Sequence, residues 1–336
     1  MPLLAVQRLT QLAARALAGA GASESMAEAA ARCLVAADTQ GLSTHGVARV
    51  PTYCGHLASG RARGDSRPRI VHEKPAACLV DAGDGIAFEA CEYAVREAVR
   101  RARRHGVGLA AVTNSHHCGA LGVLLEPVAE AAMAGLAFSN AAAAIMPWGG
   151  TRPIFGTNPV AAIFPRRAAA PLVIDLSLTP VTRGSIMLLA KAGKPVPEGW
   201  GMDAQGRPTT DPQQILLGGS LHAVGGMKGT MLALAVEVLA CALTGAALSH
   251  EVESMHLAAG PPLRLGQMFV AIDPGALAGR DAYYDRIETL VKAMTADAAV
   301  RLPGARREIE HSRAREQGVE ISEELFKELL SLANAA

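Results

Sequence analysis

The 336-residue chain carries 32 Lys and Arg against 31 Asp and Glu, a formal net charge of +1. That balance gives no electrostatic reason to expect nucleic acid or an anionic membrane as a partner. Half of the residues are apolar and 4% are aromatic, which fits a well-buried globular chain of two domains, or one large and one small.

In chain order, Val6, Leu9, Leu12, Ala13, Ala16 and Leu17 form an amphipathic helix stripe. Arg8 and Arg15, with no acid before Glu24, faintly imitate a transit peptide, but no small-residue cleavage site follows an apolar core. A second helix is expected to start on the capping box Ser25-x-x-Glu28 and to stop before Gly41. Next comes Gly41-Leu-Ser-Thr-His-Gly-Val-Ala-Arg-Val-Pro-Thr-Tyr53. If helical, it aligns His45, Arg49 and Tyr53 on one face, although Pro51 counts against an uninterrupted helix. Residues 60–68 read as a loop, 77–80 as a strand, 88–104 as a helix and 106–113 as a buried strand. The basic run 96–105 is the solvated face of that helix.

After Asn114-Ser-His-His-Cys-Gly119 the pattern predicts a helical run to about residue 134, then strands at 136–140, 160–164 and 172–175. Residues 182–192 read as a helix and 193–212 as a long loop. The stretch 229–248 approaches the length of a bilayer span. Glu237 at its centre and the lack of a basic flank or aromatic belt make it a central buried helix instead. A strand at 267–272 and helices at 282–294 and 322–332 complete the chain, the last capped by Ser322 with Glu323 and Glu324 in its first turn. The alternation indicates an α/β or α+β class. Residues 119–299 look most like an independent domain, with 1–118 and 300–336 forming the other.

Cys33, Cys54, Cys78, Cys91, Cys118 and Cys241 form no CxxC, which suits reduced thiols in a cytoplasmic protein. Gly106-Val-Gly-Leu-Ala-Ala111 matches GxGxxA, but it follows a helix and opens a strand, the reverse of a dinucleotide fingerprint. Gly225-Gly-Met-Lys-Gly-Thr230 holds P-loop residues in the wrong order. It is either an anion-binding turn or a tight turn into a buried helix. His116 and His117 are adjacent and face opposite ways on an extended segment, and no HExxH or paired CxxC occurs, so no metal site is expected. His250 and His256 read as exposed polar residues among Glu251 and Glu253. No GxSxG elbow is present. His45 can give a proton near neutrality and Arg49 can fork a carboxylate. The same pair could equally be a capping histidine and a surface arginine.

The 43–53 segment resembles the substrate motif of the malate/L-lactate dehydrogenase type-2 family. That family also includes ureidoglycolate, sulfolactate and 2,3-diketogulonate oxidoreductases and the reductases of piperideine-2-carboxylate and pyrroline-2-carboxylate. The likeness continues through Asn114-Ser-His-His-Cys-Gly119, Phe155-Gly-Thr-Asn-Pro159, Asp175-Leu-Ser-Leu-Thr179, Val196-Pro-Glu-Gly-Trp200, Pro208-Thr-Thr-Asp211, Gly225-Gly-Met-Lys-Gly229 and Leu302-Pro-Gly304 with Arg306 and Arg307. These motifs run in order through nearly the whole chain.

The resemblance implies a non-Rossmann α/β (α+β) fold. A mixed, largely antiparallel sheet domain would hold NAD(P), beside a helical/α-β substrate and dimerisation domain, in a homodimer. It implies an NAD(P)H-dependent oxidoreductase that passes hydride to C2 of a small 2-oxo or cyclic 2-imino acid. His45 would donate the proton, Arg49 would bind the carboxylate, and Tyr53 and Thr157 are further substrate candidates. Most members place serine directly before the histidine; here Thr44 intervenes after Ser43, so either hydroxyl could assist. His117, Cys118, Gly119, Ala120, Leu121, Ser177, Leu178 and Thr179 would hold the cofactor, together with Gly304, Arg306 and Arg307. Those arginines could meet a 2′-phosphate, which puts NADP ahead of NAD. Ser185 stands where the family often has lysine, and Asn140 receives no role. The Ser43-Thr44-His45 and His116-His117-Cys118 forms resemble the cyclic-imine members most, so imine reduction is placed ahead of malate/lactate-type chemistry. Thr44 and Ser185 also motivate a reading of another class, a catalytically silent member that binds a metabolite.

Overall fold

The computed structural model describes residues 1–334. A short strand β1 (Leu3–Leu4) leads into helices α1 (Val6–Gly19), α2 (Glu24–Thr39) and α3 (Val50–Ala58). Then come β2 (Arg69–Lys74), β3 (Ala77–Asp81), α4 (Ala87–His105), β4 (Val107–Ser115), α5 (Leu121–Leu124), α6 (Glu126–Glu130), β5 (Ala134–Ser139), β6 (Val160–Arg166) and β7 (Ala169–Leu176). A smaller unit holds α7 (Arg183–Lys191), β8 (Gly201–Met202), β9 (Pro208–Thr209), α8 (Pro212–Leu216) and β10 (Ser220–Leu221). Helix α9 (Met227–Glu237), β11 (Leu265–Ile272), α10 (Arg280–Met294), α11 (Ala305–Gln317), β12 (Val319–Glu320) and α12 (Glu323–Asn334) finish the chain.

One seven-stranded sheet, in the order β2-β3-β4-β11-β5-β6-β7, organises the molecule. Only β3 and β4 run parallel; the other neighbours are antiparallel. This is the mixed, largely antiparallel sheet that the resemblance implies. Its ladder from β4 to β11 pairs Val107 with Ile272, so the segments 1–118 and 119–299 share one sheet. β4 is buried along most of its length, as a strand covered on both faces must be. Helix α4 lies directly on it: a Cβ on Gly108 would stand 1.9 Å from Ala98 O. The small residues Ala94, Ala98 and Ala102 thus seat helix against sheet, and Gly106 ends the helix at φ 83°. That leaves the GxGxxA match in a helix-to-strand turn, as its sequence context requires.

Several boundaries differ from expectation. The cap of α2 is Ser23, whose side chain accepts from Met26 N–H; Ser25 lies inside the helix, because the chain stays extended through Ser23, whose own N–H bonds Gly64 O. The helical run after residue 119 splits into α5 and α6, and Pro127 sits in the first turn of the second, where its missing N–H is harmless. The 193–212 loop contains the β8–β9 pair, turned by Asp203, whose Oδ1 accepts N–H bonds from Gln205 and Arg207. The expected central buried helix is corrected. α9 continues as a π turn over Val238–Ala242 and buries only one side, with Met227, Met231, Leu234 and Val238 between 42% and 49% exposed. Among the described residues, no helix is long and apolar enough to cross a membrane.

Candidate active site

The 43–53 segment is not one helix. Ser43–His45 and Val47–Arg49 form two 3₁₀ turns, and α3 begins at Val50 with Pro51 in its first turn. The break falls at extended Gly46 (φ −92°, ψ −155°). Asp38 causes it: its Oδ2 accepts the Val47 N–H at 2.7 Å, and a Cβ on Gly46 would stand 1.9 Å from Asp38 Oδ1. Burial pushes the Asp38 carboxyl up to about 7, against the Val47 bond.

His45, Arg49 and Thr157 still meet, lining one pocket of about 120 Å³. That is well below the roughly 300–1,000 Å³ of sites for drug-sized ligands, so it suits a substrate of few atoms. Thr44 Oγ1 lies 3.1 Å from His45 Nδ1, and Arg49 Nε donates to Thr44 O at 2.7 Å. Burial pulls the His45 pKa below the usual histidine range; Arg49 and Arg307 add to the shift and Asp175 opposes it. The His45 ring stacks on His117 at 5.6 Å.

Tyr53 does not reach this pocket. It is fully buried, and its hydroxyl lies 2.7 Å from His117 Nδ1. The Gly119 N–H points to the same nitrogen at 3.4 Å. Nδ1 is therefore an acceptor and the His117 proton resides on Nε2. His117 is held well below the ordinary range by burial first, then by His45 and Arg49. His116 points the other way, its Nε2 2.8 Å from His56 Nδ1. His56 Nε2 lies 2.9 Å from Leu257 O, and a carbonyl only accepts. Hence His56 carries its proton on Nε2, and His116 Nε2–H donates to His56 Nδ1.

His45, His117 and Thr157 also border a second cavity, along with Cys118, Gly119, Ala120, Leu121, Ser177 and Arg307. Leu178 and Thr179 lie beneath it: Leu178 N–H donates to Thr157 O at 2.8 Å, and Thr179 Oγ1 to Val181 O at 2.8 Å. Asn140 is a strut, donating to Ala247 O at 3.0 Å and accepting from Gly266 N–H at 2.9 Å. A third cavity follows, reached past Arg307 and lined by Arg301, Gly304 and Arg306. Asp175 Oδ2 ties the two together, accepting from Gly122 N–H at 2.9 Å and from Arg307 Nη2 at 3.1 Å. Arg307 Nη1 is buried without a partner, a donor that an anionic group of a dinucleotide would satisfy. The chain of cavities and this orphaned donor fit a nicotinamide cofactor.

Sequence reasoning missed the pocket roles of Arg183 and Glu253 and the ion-paired Asp175; His256 is exposed, as expected, but it lines the pocket, which was not expected. Arg183, Glu253 and His256 line the same pocket as His45. The start of α7, which carries Arg183, and the loop that carries Glu253 and His256 converge only in the fold. Among the described residues, no cluster of three His, Cys, Asp or Glu side chains could hold a metal ion.

A family model described as malate/L-lactate dehydrogenase matches residues 4–330. The chain is 40% identical to a (2R)-3-sulfolactate dehydrogenase (NADP(+)) of Chromohalobacter salexigens, over 98% of each. It is 38% identical to a Delta(1)-pyrroline-2-carboxylate/Delta(1)-piperideine-2-carboxylate reductase of Pseudomonas putida, over 93% of this chain and 91% of the relative. Among solved structures, the delta1-piperideine-2-carboxylate reductase of Pseudomonas syringae superposes with a TM-score of 0.93 at 34% identity, covering 99% of this chain and all of that one.

Proposed function

Because this chain belongs to the malate/L-lactate dehydrogenase family and is therefore an oxidoreductase, we propose that it transfers hydride between NADP(H) and C2 of a small carboxylate. His45 gives or takes the proton. The observation that carries this reading is His45, with Thr44 on its Nδ1, beside Arg49 in a pocket that shares His45, His117 and Thr157 with the adjoining cavity.

The cofactor supplies the hydride when bound. Arg49 offers its Nη atoms to the substrate carboxylate, its Nε being committed to Thr44 O. Thr157 lines the pocket as a second polar contact. His45 uses Nε2 for transfer, since Thr44 occupies Nδ1. A histidine depressed by burial yields its proton readily to the oxygen or nitrogen that turns basic during reduction. Tyr53 acts through His117 rather than on substrate. Ser177 and the 117–121 loop border the nicotinamide end of the cleft. Arg301 and Arg306 line the far end, where guanidinium groups suit a 2′-phosphate; this supports NADP over NAD.

Two substrate shapes compete. Reduction of a cyclic 2-imino acid is supported by the pyrroline- and piperideine-carboxylate reductases among the relatives. Reduction of an open-chain 2-oxo acid is supported by the 40%-identical sulfolactate dehydrogenase and by Arg183, a second guanidinium in the pocket. Steady-state kinetics with piperideine-2-carboxylate, pyrroline-2-carboxylate, 3-sulfopyruvate, oxaloacetate and pyruvate, each with NADPH and NADH, would decide. The reading fails if no member of the panel is turned over. Sensing without catalysis would show as NADPH binding without turnover.

A further inference from the structure

We propose that Arg61 is a positioning residue for the anionic substrate: it fixes the loop forming one wall of the pocket and keeps the Glu253 carboxylate of that wall in an ion pair. The proposal rests on the assignment of Arg49 to the substrate carboxylate. Arg61 is fully buried, which is rare for a guanidinium without a dedicated set of partners. Its partners are the wall. Nη1 donates to Ser254 O at 3.0 Å and also to Leu257 O, and Nε donates to Pro261 O at 3.2 Å. Two neighbours add tethers: His56 Nε2 donates to Leu257 O at 2.9 Å, and Ser59 Oγ to Ala258 O at 2.9 Å. The same loop puts Glu253, Ser254, Met255 and His256 into the pocket. One stretch of chain thus supplies Arg49 ahead of α3 and the clamp for the opposing wall at its other end.

Glu253 Oε2 lies 3.8 Å from Arg61 Nη2, with its side chain 48% exposed and that of Arg61 fully covered. Left alone, a carboxylate in this wall would repel the carboxylate that Arg49 holds. Arg61 in turn would be an uncompensated buried cation without Glu253 and the three carbonyls. Gly260 leaves space for the pair: a Cβ there would stand 2.5 Å from Glu253 Oε2 and 3.7 Å from Arg61 Cζ. Wall geometry and wall charge therefore depend on one side chain that never touches substrate.

The test compares wild type with Arg61→Met, Arg61→Lys, Glu253→Gln and the double variant R61M/E253Q. Each is assayed with the best substrate of the panel above, and NADPH affinity is measured by fluorescence titration. R61M should raise the substrate KM about tenfold or more, with kcat within a few-fold and NADPH affinity unchanged, because binding of the ground state is what is lost. E253Q should recover a large part of that rise in the R61M background, a coupling that a general loss of folding does not produce. R61K keeps the charge without the full reach and should fall between wild type and R61M; it carries the test if R61M does not fold. An unchanged KM in R61K and R61M, or no recovery in the double variant, overturns the proposal. A wild type inactive on every substrate overturns the functional reading itself, and this proposal with it.

Discussion

Thr44 Oγ1 approaches His45 Nδ1 to 3.1 Å, while the neighbouring backbone carbonyl of Thr44 receives Arg49 Nε at 2.7 Å. One residue thereby orients both the proposed proton donor and the proposed carboxylate clamp. Among the described residues, Ser43 makes no side-chain hydrogen bond, so Thr44 is the hydroxyl in position to assist. His45→Ala should lower turnover by about 10²–10⁴-fold, the range for a positioned acid. Thr44→Val should cost roughly 3–10-fold, the worth of one orienting hydrogen bond, and Ser43→Ala less than about twofold. Steady-state kinetics on the three variants checks this; a larger loss in S43A than in T44V would reverse the assignment.

The pH profile follows from the depressed His45. Reduction requires the protonated ring, so kcat/KM for reduction should fall as pH rises through a value below the usual 6.5. Oxidation requires the neutral ring and should be flat above that value. Arg49 is among the groups that lower this pKa, so Arg49→Met should move the inflection upward while raising KM. A downward or absent shift would contradict the placement of the Arg49 guanidinium beside the His45 ring.

Tyr53→Phe separates substrate contact from support. The hydroxyl reaches His117 Nδ1 at 2.7 Å inside the core, so its loss should leave substrate KM nearly unchanged. It should cost about 1 kcal/mol of stability, the typical net worth of one hydrogen bond. Thermal denaturation and substrate saturation curves, measured together, test it.

His116 makes a stability prediction. Burial first, then His56 and Arg61, lowers its pKa to about 3. The unfolded chain therefore binds the extra proton between about 6.5 and 3, and the folded chain does not. The His116 contribution is intact above pH 6.5 and is lost as pH falls through that window, at up to about 1.4 kcal/mol per pH unit. The stability gap between wild type and His116→Gln should narrow accordingly in denaturant titrations from pH 7 to pH 4. A gap that stays constant would mean that the ring is protonated in the fold.

Gly46→Ala should be severe. Its Cβ would occupy the place of the Asp38 carboxylate, releasing Val47 N–H and the turn that carries His45. We expect loss of activity with the sheet intact by far-ultraviolet circular dichroism.

The parts of this molecule that announce themselves in sequence are those with a one-sided burial period. Helix α4 buries Ala87, Ala90, Cys91, Ala94, Val95, Ala98 and Ala102 in helical spacing, and its bounds are predictable within a residue. Strand β2 is exposed along most of its length, and α11 buries only Ala314; with no apolar stripe, neither is visible beforehand. α9 misleads for the opposite reason, because it is apolar on its exposed side too. In the site, His45, Arg49 and Thr157 were readable as types and motifs. The Asp38-imposed break at Gly46, the withdrawal of Tyr53 behind His117 and the arrival of Arg183 and His256 depend on contacts between distant segments, which spacing along the chain does not encode.

The β4–β11 ladder carries a consequence for how the protein is made. Strand β11, at residues 265–272, fills the gap between β4 and β5, which both precede it by more than a hundred residues of synthesis. Until it emerges from the ribosome, β4 and β5 each present an unpaired edge rich in buried-type residues, the kind of surface that recruits foreign strands. Closing so long a loop is slow compared with forming local helices. A nascent or truncated chain ending before residue 265 is therefore a two-edged, association-prone intermediate rather than a smaller enzyme, and it is the stage at which a chaperone would matter most.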